Sequence, residues 1–156
     1  PIEVMVFNIG ANVNSSILEE TARKYFKIWE MACFSAFLCG REVAKRMVKR
    51  ARGTMLFTGA TASLRGSAGF AAFAGAKHAL RALAQSMARE LGPQGIHVAH
   101  VVIDGGIRSA TRAVPAEAPD SLLDPVAIAE TYLQLIRQPR SAWSMEVELR
   151  PWTERF

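Results

Sequence analysis

The chain has 156 residues and a mass of 17.1 kDa, and half of its residues are apolar while 21% are charged, which fits one domain with a real core and excludes a disordered or low-complexity chain. The net charge of +5 invites a nucleic-acid reading, because Lys45, Arg46, Lys49, Arg50 and Arg52 cluster. These residues close a predicted helix, where cations complement the dipole, and no aromatic stacking platform accompanies them, so a solvated helix end is favoured and no nucleic-acid partner is expected.

Ile2 to Phe7 is a short apolar run that ends in the turn cluster Asn8-Ile9-Gly10-Ala11-Asn12, the pattern of a buried strand leaving into a loop. From about Ser15 to Ala51, apolar residues such as Ile28, Met31, Ala32, Phe34, Phe37, Leu38, Val43 and Met47 recur at three- and four-residue intervals, which predicts one long helix or two in sequence, stopped by Gly53. Arg41, Glu42, Lys45 and Arg46 interrupt its longest apolar stretch, Met31 to Gly40, well short of the ~20 residues of a membrane span, and no signal-peptide pattern opens the chain. Cys33 and Cys39 lie on different faces of that helix and cannot bridge each other. Two unpaired thiols fit a reducing, cytoplasmic setting.

Thr54 to Thr58 is a second buried strand. Ser63 to Gly69 is a small-residue loop, and Phe73, Ala76, Leu80, Leu83, Ala84, Met87 and Leu91 then mark one face of a helix ending at Gly92-Pro93. Ile96 to Ile103 is a third strand, broken by Asp104-Gly105-Gly106. Ala110 to Pro125 reads as a surface excursion. Asp124-Pro125, a capping residue followed by Pro at the first helical position, opens a helix to about Arg137 with Ile128, Tyr132, Leu135 and Ile136 inward, and Ser144 to Leu149 is a last strand. Strands alternating with helices predict a parallel sheet covered on both faces.

Within this frame Phe73 and Lys77 stand one helical turn apart, with Thr58-Gly59-Ala60 upstream and small residues between. Ile2 to Gly10 ends in Asn8-Ile9-Gly10; Trp29 to Cys33 is helical; Asp104-Gly105-Gly106-Ile107-Arg108-Ser109 follows the third strand. In this order the segments resemble the short-chain dehydrogenase/reductase family, over nearly the whole chain and as far as the tail Arg150-Pro151-Trp152. The family's Tyr-x-x-x-Lys pair does acid/base work, and here Phe73 stands where the Tyr would be. Ala60, thirteen residues earlier, takes the place of the family's Ser, with Thr61 one residue off and Ser63 further. Ala32 takes the place of the Asn that holds a relay water.

The resemblance implies a partial Rossmann-like doubly wound α/β sheet, its last four strands with their flanking helices. Residues 1–156 are then a single, incomplete domain without the N-terminal nucleotide-binding strands. It implies an NAD- or NADP-linked oxidoreductase acting on a small alcohol or carbonyl substrate, with activity weak or absent because only Lys77 of the catalytic set is kept. Asn8, Gly10, Lys77, Gly105, Ile107 and Ser109 are the implied cofactor contacts. No Gly-x-x-x-Gly-x-Gly stands at a strand-to-helix turn, so the chain alone is expected not to bind the cofactor. Lys77 can also be read as a helix-surface lysine with its stem on Phe73.

A non-catalytic binding or assembly subunit of the same fold is the alternative, since the helices at about 21–50 and 70–91 are the family's subunit-packing helices and imply a homo-oligomer. The edge strand Ile2 to Phe7 would be apolar and need covering by another chain. His78, His97 and His100 offer no metal set, because His97 and His100 point to opposite faces of a strand. Asp104, at the carboxyl end of a strand where open α/β sheets bind ligands, is a candidate site residue or a turn cap.

Overall fold

The computed structural model describes residues 1–154; residues 155 and 156, the last two of the expected domain, lie outside the described residues. Four strands, β1 (Val4–Phe7), β2 (Gly53–Thr58), β3 (Ile96–Ile103) and β4 (Glu146–Leu149), form one sheet in chain order with every neighbouring pair parallel. Parallel neighbours need crossover connections, and three helical segments supply them. The first contains α1 (Ala22–Trp29), a π-helical turn (Glu30–Phe34) and α2 (Ser35–Met47); the second is α3 (Ala71–Leu91); the third is α4 (Pro125–Arg137). The partial, doubly wound α/β sheet expected from the sequence is what the chain forms.

Alternation along the strands decides what covers each face. Met5, Phe7, Met55, Phe57, Ile96 and Val98 pack with Ala36, Met47, Leu80 and Ala84 of α2 and α3. Leu56, Ala99, Val101 and Ile103 face the other way, against Ile128, Tyr132, Leu135 and Ile136 of α4. The eight residues of β3 are buried on both faces, as its largely apolar run predicts, and this burial includes His97 and His100. His97 stacks on Trp143, with ring centroids 4.9 Å apart, on the α4 side, whereas His100 lies on the α3 side against Arg81 and Glu146. Among the described residues β1 is paired on one side only, and Val4 and Val6 are 37% and 48% exposed.

Two sequence expectations need correction. The helix expected from about Ser15 begins at Ala22, because the Thr21 side chain accepts a hydrogen bond from the Lys24 amide and so fixes the start there. It is also not stopped by Gly53: α2 ends at Met47, a 3-10 turn follows over Val48–Arg50, and Ala51 turns the chain in the left-handed region (φ 48°), while Gly53 already opens β2. The π-turn was not foreseen. There the Ser35 amide bonds the Glu30 carbonyl five residues back, and Ala32 and Cys33 are turned inward.

The basic cluster at the end of this segment is paired in part. Arg50 and Arg52 both reach Glu3, and Lys45 reaches Glu42. Cys33 and Cys39 are both free, one buried and one exposed. Among the described residues no helix is long and apolar enough to cross a membrane, and no group of His, Cys, Asp and Glu could hold a metal ion.

Candidate active site

The carboxyl ends of β1, β2 and β3 open onto a cavity of about 560 Å³. It is the place where a parallel sheet leaves strand ends uncovered and exit loops diverge. Asn8 and Gly10 leave β1 into its wall, Thr58 to Ala62 leave β2 across its floor, and Gly105 and Ile107 leave β3 on the far side, while Phe73 and Lys77 reach it from the first two turns of α3. Eight of the residues singled out in the sequence, Asn8, Gly10, Ala60, Thr61, Phe73, Lys77, Gly105 and Ile107, therefore share one cavity.

Two do not. Ala32 is fully buried behind the cavity with Ile28, Ala72 and Ala76, and Ser109 is exposed on the excursion, bonded to Thr111 and the Arg112 amide.

Lys77 is only 4% exposed, so its reading as a helix-surface lysine is set aside. The ammonium donates to the Thr58 carbonyl at 2.8 Å and stands 5.8 Å from the centre of the Phe73 ring. Burial disfavours the charged form and pushes its pKa down to about 8. Gly10 lies alongside the amine, where a Cβ would be in ordinary contact with Nζ at 3.4 Å. Beside this amine are a phenyl ring and, at position 60, a methyl group. Neither carries a proton that could be transferred.

Two of the nearby hydroxyls already have partners. Ser63 Oγ, fully buried, accepts from the Ala60 amide, and Thr61 Oγ1 donates to Asp104. Asp104 itself is fully buried, its two carboxylate oxygens each 3.2 Å from Arg65 Nη2. It is not a turn cap: it ties the loop after β2 to the end of β3, and its carboxylate lies beneath the cavity rather than in its wall. Sequence reasoning missed Arg65 and Arg112, both of which line the cavity. The signal for Arg65 was a single charge within the small-residue loop from Ser63 to Gly69.

Below the floor lies a second polar group. Arg81 grips Glu146 through two bonds of 2.6 and 2.7 Å and holds that carboxylate below its usual range, and Glu146 in turn bonds His100 Nδ1 at 2.9 Å. Burial lowers the pKa of His100 despite this carboxylate. Its Nε2 faces Gly59 with no partner among the described residues.

A family model described as short chain dehydrogenase matches residues 1–118. The chain belongs to the short-chain dehydrogenase family. It is 32% identical over 98 residues to a short-chain dehydrogenase/reductase of Armillaria gallica, covering 62% of this chain and 38% of the relative. It is 30% identical over 115 residues to the 3-oxoacyl-[acyl-carrier-protein] reductase MabA of Mycobacterium avium, covering 73% and 45%. A solved short-chain dehydrogenase from Rhodopseudomonas palustris superposes with a TM-score of 0.84 at 53% identity, over 97% of this chain and 63% of that one. The short-chain dehydrogenase chain thus spans less than half the length of these two curated relatives.

Proposed function

We propose that the chain is the active-site portion of a short-chain dehydrogenase scaffold, linked to NAD or NADP and to a small alcohol or carbonyl substrate, in which the proton donor is lost and turnover is weak or absent. The observation that carries this reading is the buried, cavity-lining Lys77 with Phe73 and Ala60 beside it. In the family pattern the lysine lowers the pKa of a phenol and holds cofactor ribose hydroxyls. Without the phenol only the second task is left to it. Carbonyl reduction needs a proton delivered to the developing alkoxide from a group within hydrogen-bond reach, and a phenyl ring and a methyl group deliver none.

The cofactor supplies hydride chemistry when bound. Asn8, Gly10, Lys77, Gly105 and Ile107 are the residues of this chain that would line its nicotinamide end; Ser109, placed outside the cavity, would meet it only after movement of the excursion. The nucleotide end falls to strands that would pair with the open side of β1, where Val4 and Val6 are exposed. The chain by itself is therefore a poor cofactor binder. The test is nicotinamide oxidation over a panel of carbonyl compounds by the whole gene product, before and after the missing hydroxyls are put back.

A second reading, an assembly subunit of the same fold, is favoured by the outer face of the first helical segment. Phe26, Trp29, Phe34 and Phe37 form a ladder with successive ring centroids 5.8 to 6.0 Å apart, and Phe26, Met31, Phe34, Phe37 and Leu38 are exposed. A contiguous apolar patch of this kind marks an interface. We expect light scattering at micromolar concentration to give a dimer or larger, and Phe34→Glu with Phe37→Glu to give a monomer. A monomeric unmodified chain would count against assembly through this face.

A further inference from the structure

The charges around the cavity are one-sided. Arg65, Lys77 and Arg112 line it, and no acidic side chain does among the described residues; of the two acids close by, Asp104 is buried and already bonded to Thr61 and Arg65, and Glu154 stands at the rim, where a Cβ on Gly105 would be 3.5 Å from its Oε2. Arg65 spends one nitrogen on both oxygens of Asp104, and its side chain remains 37% exposed, so the rest of its donor fork faces the cavity side of the loop. Arg112 is brought over from the excursion by the Ser109–Arg112 bridge, and its guanidinium lies against Gly106, where a Cβ would come within 3.3 Å of Nη1. Two guanidiniums on different loops, one of them anchored by a buried carboxylate, therefore line the same cavity, and guanidinium is the donor that suits a carboxylate. The surfaces between them, Phe70, Phe73, Ile103 and Ile107, are apolar.

We propose that this cavity takes an organic carboxylate, its charge held between Arg65 and Arg112 and its apolar body lying on Phe70, Phe73, Ile103 and Ile107. The inference rests on the cavity being the substrate site of the reading above and narrows its substrate class. Asp104 and Thr61 are positioning residues for Arg65. They explain why a buried carboxylate, costly in itself, stands at the end of β3.

The test titrates the unmodified chain with hexanoate, hexanamide and inorganic phosphate by saturation-transfer NMR, without cofactor. Hexanoate is expected to bind at least about tenfold more tightly than either of the others, and Arg65→Met or Arg112→Met to remove that margin. Asp104→Asn keeps the shape of the side chain and releases Arg65, so it should weaken hexanoate while leaving hexanamide unchanged; a merely unfolding variant would weaken both. Equal affinity for acid and amide, or binding of none, overturns the proposal, and phosphate binding as tightly as hexanoate overturns it in favour of a phosphate site. None of these results depends on hydride transfer, so the proposed oxidoreductase reading stands or falls separately.

Discussion

Ala60→Ser combined with Phe73→Tyr is expected to raise nicotinamide-linked carbonyl reduction by the whole gene product roughly 10²-fold or more, the range that one well-placed general acid supplies. Each change adds a single oxygen. The phenol would be set one helical turn before Lys77, whose ammonium is already buried and already facing the cavity, and a nearby cation is what draws a phenol pKa down toward neutrality. The serine would stand at the loop position whose amide donates to Ser63 Oγ and whose carbonyl accepts from the Ser63 amide. Phe73→Tyr alone should recover part of the gain. Addition of Lys77→Ala to the double variant should abolish it, because the phenol then loses its cation. A double variant no faster than the unmodified protein, with the fold intact by circular dichroism, would show that the missing hydroxyls are not what limits this chain.

The second large effect concerns the floor. Gly59→Ala is expected to destabilise the protein by about 2 to 3 kcal/mol, the usual cost of forcing an atom into a filled core. A Cβ at Gly59 would be within hard contact of His100 Nε2 and Cε1 and of Ser63 Oγ. None of these is the free end of a flexible chain: His100 is fully buried and held through Nδ1 by Glu146, which Arg81 holds in turn, and Ser63 is fully buried and caps the Ala60 amide. Relief would have to come from the backbone between Thr58 and Ala60, the stretch whose carbonyl anchors Lys77. Stability and cavity geometry should fail together. Equilibrium denaturation in urea reads the effect, and a midpoint unchanged from the parent would mean that the floor gives more readily than its bonds indicate.

The sheet was legible because its two central strands are buried on both faces and so read as largely apolar runs, Met55 to Phe57 and Ile96 to Ile103, the latter interrupted only by His97 and His100. Asp124-Pro125 announced the start of α4 through chemistry local to the two residues: the carboxylate accepts from the Val126 amide at 2.9 Å, and Pro takes a position with no amide to satisfy. The π-turn at Glu30–Phe34 left no such mark, since the apolar spacing runs through it and the extra residue is accommodated by packing against α3. Lys77 and Phe73 could be placed together from a spacing of one helical turn. What the sequence left open was depth: the lysine passes inward because its ammonium finds the Thr58 carbonyl at the end of β2, with the loop after β1 at Gly10 packed alongside. Arg65, Asp104 and Thr61 escaped joint notice for the same reason. Their association is made by the approach of the β2 and β3 exit loops, and only the folded sheet brings those loops together.

Burial of the Lys77 amine also fixes a sign for pH dependence. Its folded pKa lies below the ordinary 10.5, so between about 8 and 10.5 the unfolded chain holds a proton that the folded chain has released. The penalty of burying the charge is therefore complete below pH 8 and relieved as the pH rises to 10.5, and the unmodified chain should gain stability relative to Lys77→Met across that window.

The most direct measurement is the titration of the Lys77 side chain itself, followed through its Cε resonance in protein labelled at lysine and assigned by Lys77→Arg. A midpoint near pH 8 is the predicted result, that of an amine buried at the cavity floor with no phenol beside it. A midpoint near 10.5, that of a lysine in water, would contradict the placement of Lys77 and with it the active-site reading.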